Sequence, residues 1–181
     1  ANGFPNVGVM RVCQKQPLRF RTLESAEPQF FTERRDFMQK LEQIKRALEV
    51  SAAVYEAVRA ALRVGVSERT LYELTGRVAG SLLAGQDWEY LGDFVSGERT
   101  AEIGGDPTER TLRAGDLFLL DLSVRCGDGW CDTCRTFFLG APNEEVRRAY
   151  ETVLRCQQAG ALTVRSGVKA SEVKRVMETY L

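Results

Sequence analysis

A chain of 181 residues with 44% hydrophobic content is long enough to bury one substantial core or two small ones, so disorder is not its expected resting state. Twenty-five basic residues balance 25 acidic ones with no long run of either sign, so the charge pattern gives no footprint for nucleic acid or an anionic membrane. No stretch reaches the roughly 20 apolar residues of a membrane span, the opening ANGFPNVGVM lacks the basic and apolar parts of a secretion signal, and five cysteines is a sparse, odd count for a disulfide framework, so free thiols and a cytoplasmic location are expected.

Residues 1–31 carry Gly3, Pro5, Pro17 and Pro28 among mixed polar and apolar neighbours and are assigned a flank or arm with at most a short strand. From Thr32, expected as an N-cap, the residues Phe37, Leu41, Ile44, Leu48, Ser51, Tyr55, Val58 and Leu62 recur in steps of four and three. That is the period of one helix face, and it predicts a long amphipathic helix. "RVGVSERTLYELTGRVAGSLLAG" breaks at Gly65, restarts with Ser67 as cap, turns Leu71, Leu74, Val78 and Leu82 inward, and stops at Gly85, giving a second helix. "DWEYLGDFVSGE" then reads as a strand, with aromatic and β-branched residues between Gly and Asp punctuation.

After Pro142, with Asn143 as cap, a helix, a Gly-Val break and the start of another helix return. A shift of 102 residues aligns Arg46 with Arg148, Ala47 with Ala149, Glu49 with Glu151, Arg63 with Arg165, Gly65 with Gly167 and Val66 with Val168. The shared order of helix, break and helix predicts an internal duplication whose second copy stops before its strands.

Between the two copies, "GDLFLLDLSVRCGDGWCDTCRTFFLG" reads as a hairpin. The period of two puts Leu117, Leu119, Asp121 and Ser123 on one face of the first strand, and Trp130, Asp132, Cys134 and Thr136 on one face of the second. With an even loop, Asp121 and Asp132 share a sheet face, opposite or diagonal, their Cβ atoms about 4.5–8 Å apart. Two carboxylates so close stay ionised together only beside a compensating cation, for which a divalent metal is the economical candidate. Flanking of turns by solvated acids is the alternative for such a pair. The "CDTC" pair is expected to stay reduced, because Cys131 and Cys134 leave a strand on opposite faces. "SGERTAEIGGDPT" has the glycines of a phosphate loop without its Gly-Lys-Ser/Thr ending.

These segments together resemble the creatinase, aminopeptidase P and methionine aminopeptidase family. The likeness runs from near Lys40 to the end and is carried by "LRVGVSE", "VSGERTAEIGG", "LRAGDLFLLDLS", "GWCDTCRTFFLG" and "RSGVKASEV". Its most specific element is Gly-Asp-apolar-Asp followed eleven residues later by Asp-x-x-Arg-Thr-Phe. The resemblance implies an α+β pita-bread fold, an antiparallel sheet backed by helices and internally duplicated, here with an incomplete second half: a domain over 32–181, with its first half at 32–142 and the start of the second at 143–181. It further implies two divalent metal ions (Mn, Co or Zn), with Asp121 as ligand to one and Asp132 bridging both. Arg135 and Thr136 match the motif without a ligand role. Gly104 stands where the family carries a substrate-contacting His, and the chain has no histidine at all. The implied parent is a metal-dependent exopeptidase of the Xaa-Pro peptidase or aminopeptidase type, acting on peptides or small amides through metal-activated water and assembling as a homodimer. A creatinase-like amide or C-N hydrolase and a catalytically inactive binding module are the alternatives. The chain alone is expected to be an inactive portion of that parent.

Overall fold

The computed structural model describes residues 28–102 and 104–181, with side chains from residue 33 onward. The arm or short strand expected in residues 1–31 falls, as far as residue 27, outside the described residues. Two compact units are present, and they divide the described chain into residues 28–140 and 141–181.

The first unit begins with α1 (Pro28–Ala61), so Thr32, expected as the cap, lies inside the helix. Pro28 is compatible with that start, since a first-turn residue has no intrahelical acceptor for its missing N–H. The buried stripe of α1 is Ala47, Val50, Ser51, Val54, Tyr55 and Val58, while Phe37 is 62% and Leu48 43% exposed. The expected stripe was therefore correct at Ser51, Tyr55 and Val58 and wrong at Phe37 and Leu48. Helix α2 (Glu68–Leu82) starts as the sequence predicts, with the Ser67 hydroxyl accepting the Thr70 N–H at 3.1 Å.

Three antiparallel strands follow in the order β1 (Trp88–Ser96), β2 (Leu117–Cys126) and β3 (Gly129–Phe138). A 3₁₀ turn (Gly97–Ala101) leaves the end of β1. The β2–β3 hairpin closes through the two residues Gly127 and Asp128, the tight connection that antiparallel strands favour. Strict alternation sends Phe118, Leu120, Leu122, Val124 and Cys126 into the core from β2. Phe94 of β1 and Phe137 of β3 join them against Val50, Val54 and Val58 of α1 and Leu71 of α2. Burying each such side chain contributes about 1.5–3 kcal/mol, so this face dominates the stability of the unit. Tyr55 locks the helix layer to the sheet, its hydroxyl donating to the carbonyls of Thr133 at 2.6 Å and Leu120 at 3.2 Å. All helices of this unit lie on one side, which leaves the opposite sheet face uncovered within it.

The second unit comprises α3 (Glu144–Thr163), capped by the Asn143 side chain as expected, and α4 (Ala170–Glu178). The two helices meet at Gly160, where a Cβ would stand 2.6 Å from the Met177 sulfur. Their junction repeats the junction of α1 and α2 in backbone detail. Gly65 and Gly167 have φ of 90° and 85°, and the Val66 and Val168 amides donate to Arg63 and Arg165 carbonyls at 3.3 and 3.2 Å. Only glycine takes that left-handed conformation without strain, which is why both turns carry it. Among the described residues no helix is long and apolar enough to cross a membrane.

Candidate metal centre

The uncovered face of the sheet carries the two carboxylates singled out from the sequence. Asp121 pairs with Cys134, and Ser123 pairs with Asp132, so Asp121 and Asp132 are diagonal neighbours on one face. Asp121 is half-buried and Asp132 exposed. A third carboxylate, which sequence reasoning missed, stands beside the pair: Asp93 of β1 lies directly opposite Asp121 across the other ladder. It reads as punctuation beside Gly92 in the linear chain, and the signal that finds it is the same period of two that places Leu91, Asp93 and Val95 together. Leu91, Gly92, Asp93, Asp106, Asp121, Ser123 and Asp132 line a shallow depression of about 370 Å³.

The electrostatics follow from this placement. Burial, the negative charges of Asp132 and Asp93, and a hydrogen bond shared with Asp132 raise the Asp121 carboxyl above its ordinary value, against the Leu122 backbone N–H, which lowers it. Desolvation, with Asp121 alongside, pushes the Cys134 thiol up to about 11, so it is a protonated neighbour rather than a nucleophile. Cys131 faces the core instead, and both thiols are free, as the opposed faces require.

A raised pKa has a defined sign in stability. The folded protein holds the Asp121 proton at a pH where the unfolded chain has released it, so this group's favourable contribution is present at acid pH and is lost as pH rises from the unfolded value through the folded one. In metal-free protein at neutral pH, Asp121→Asn is expected to raise the thermal midpoint by about 2–4 °C, the scale of a single modest change in a chain of this size. The gain should shrink as pH is lowered towards 4. A variant that melts lower than wild type at pH 7 would show that the carboxylates do not repel.

The walls of the depression are held from below. Glu68, fully buried at the start of α2, accepts from the Ser96 N–H and hydroxyl at 2.8 and 2.7 Å, from the Thr108 N–H and hydroxyl at 3.1 and 2.7 Å, and from Arg99. Arg99 passes the connection on to the Asp106 carbonyl at 2.9 Å. Asp93 pins the same loop by accepting the Gly105 N–H at 2.9 Å. Gly104 sits in that loop with φ of 83°, and a side chain begun there would approach Asp93, 3.6 Å from Oδ2. The position is thus beside the carboxylates but contributes no group to them. Arg135 is on the helix side, its guanidinium 5.1 Å from the Tyr55 ring centre, while Thr136 lies on the uncovered face opposite Leu119.

Oxygen donors whose charges repel one another fit a divalent ion. Asp121 and Asp132 supply two such donors, and among the described residues no three His, Cys, Asp or Glu side chains converge on a metal position. Were an ion held there, water or other protein groups would complete its shell.

Known proteins are similar to this chain in sequence and in fold. YkvY of Bacillus subtilis, a dipeptidase by name, is 30% identical over 132 residues, covering 72% of this chain and 36% of the relative. The Xaa-Pro dipeptidase of Pyrococcus furiosus is 31% identical over 83 residues, covering 46% and 24%. Among solved structures, the prolidase from Pyrococcus furiosus superposes with a TM-score of 0.73 at 24% identity over 78% of this chain and 42% of its own. That likeness places the fold, an antiparallel α+β sheet with helices, among the pita-bread proteins. The chain spans about two fifths or less of the length of these relatives. The sequence pattern of metallopeptidase family M24 matches residues 42–181, and on that match the chain belongs to metallopeptidase family M24.

Proposed function

We propose that Asp121 and Asp132 are ligands to divalent metal in a hydrolase that cleaves peptides at their amino-terminal end, of the dipeptidase or Xaa-Pro peptidase type. The observation that carries the reading is the diagonal carboxylate pair with Asp121 held towards its protonated form by its neighbours. The names of the matched dipeptidases support the substrate class. A divalent ion held there supplies a Lewis acid and a water acidified towards neutral pH. The chain's own part is to aim both carboxylates from adjacent strands of one rigid ladder, and to keep the depression open through the Glu68-anchored loop. Two ions drawn from Mn, Co or Zn, a cytoplasmic setting and a homodimer complete the proposal.

Elemental analysis of protein equilibrated with Mn²⁺ and desalted tests it. Asp121→Ala should retain less metal than wild type, and Asp132→Ala least, since the family resemblance gives Asp132 to both ions. A loss of at least about tenfold in affinity is expected, given that even residues supporting a ligand from behind are worth 10–100-fold. Equal metal content in the three proteins would leave the pair as solvated acids and favour the alternative of a catalytically inactive binding module.

A further inference from the structure

We propose that Arg69 makes the site selective for peptides whose first residue is acidic, an inference that rests on the hydrolase reading above. A second cleft, of about 250 Å³, adjoins the carboxylate depression. Arg69, Tyr72 and Tyr90 line its far part, while Leu91, Gly92 and Asp106 belong to both. The two clefts meet around the edge strand β1: Asp121, Asp132 and Asp93 lie on its uncovered side, Leu91, Gly92 and Asp106 are shared, and Arg69 stands on the helix side with two tyrosine rings whose centres are 5.0 Å apart.

An amino-terminal residue presents its groups in the same order. Its carbonyl is the group attacked, its ammonium sits on the adjacent Cα, and its side chain leaves that same Cα. With the carbonyl over Asp121 and Asp132, the ammonium falls beside Asp93, which faces Asp121 directly across the ladder. The side chain is then the part of the residue that extends past Asp106, because the rest of the peptide departs from the carbonyl carbon.

The chemistry at the far end selects that side chain. The Arg69 side chain is 45% exposed, and its ion pair with Glu109 is 3.8 Å long to a partner itself 81% exposed, a loose contact that a substrate carboxylate can displace. Tyrosine rings offer apolar faces for the methylenes of glutamate. A lysine or arginine side chain would meet like charge, and an alkyl one would offer the cation nothing beyond its loose pair with Glu109. The wall between the two clefts is fixed in place by the Gly105 bond to Asp93 and the Arg99 bond to the Asp106 carbonyl.

The test is an NMR titration of the ¹⁵N-labelled protein with Glu-Pro and with Met-Pro, a first residue of similar length without charge. Wild type is expected to bind Glu-Pro about fivefold more tightly, the upper range for a partly exposed ion pair. Arg69→Gln should bring the ratio to about one and Arg69→Lys should retain part of it, with the dispersion of each spectrum reporting that the variant is folded. A ratio near one in wild type, a preference undiminished in Arg69→Gln, or no saturable shift at millimolar Glu-Pro would each overturn the assignment. Paramagnetic broadening by Mn²⁺ around Asp121 is followed separately. A charge preference without that broadening supports the subsite and sinks the hydrolase reading, whereas broadening with a ratio of one overturns the subsite alone.

Discussion

Glu68→Ala is expected to remove about 3–5 kcal/mol of folding stability, the effect of breaking a buried ion pair from one side. The side chain is fully buried, and its two oxygens satisfy backbone N–H groups of Ser96 and Thr108, their two hydroxyls, and Arg99. Deleting it leaves donors without acceptors and a guanidinium whose remaining partners are the Asp106 carbonyl and the Thr108 hydroxyl. Against a typical total of about 5–15 kcal/mol, the loss is a large share. Glu68→Gln should fall between, because an amide keeps the volume but points a donor at a donor on one side. Urea midpoints for the three proteins check this order. The expectation fails if Glu68→Ala lies within about 0.5 kcal/mol of wild type, the range of an ordinary surface change.

The second large effect is expected from the smallest residue of β1. A Cβ at Gly92 would stand 2.2 Å from the Asp121 carbonyl oxygen and 3.3 Å from the Phe94 ring. The first of these is backbone, so relief requires β1 and β2 to part beside the carboxylate pair. Overpacking of this kind costs about 1–3 kcal/mol, whereas the same substitution in a strand with room is stabilising by about 0.4–1 kcal/mol, because it restricts the unfolded chain. The sign therefore discriminates. Gly92→Ala should lower the thermal midpoint, and it should move the Asp93 and Asp121 amide resonances more than those of β3. A higher midpoint would show that the ladder accommodates the methyl group.

Much of this arrangement is legible in the linear chain, for identifiable reasons. The Ser67 and Asn143 caps, the Gly65 and Gly167 turns and the alternation along β2 are local, each set by residues within a few positions. Asp121 and Asp132 could be placed on one face because a two-residue turn ties their strands. The face of α1 was legible in part. Phe37 and Leu48 fit the helical period, yet burial depends on where the sheet ends, and it is Ala47, Val50 and Val54 that meet it. Glu68 was invisible as a hub, since an acid in a first helical turn is ordinary and its partners lie 28 to 40 residues away. Asp93 was missed because its significance depends on pairing with β2 across a 3₁₀ turn and a long loop, not on any neighbour in sequence.

The diagonal placement of Asp121 and Asp132 also constrains how the gene can change. Side chains alternate along a strand, so sliding β3 by one residue against β2 would turn Asp132 towards α1 and bring Cys131 or Thr133 to the face where Asp121 remains. A single inserted or deleted codon between the two strands is therefore tolerable only if the turn at Gly127 and Asp128 absorbs it, leaving the ladder as it stands. Gly127 is itself held in that turn by its left-handed φ of 56°, while length changes are filtered by parity.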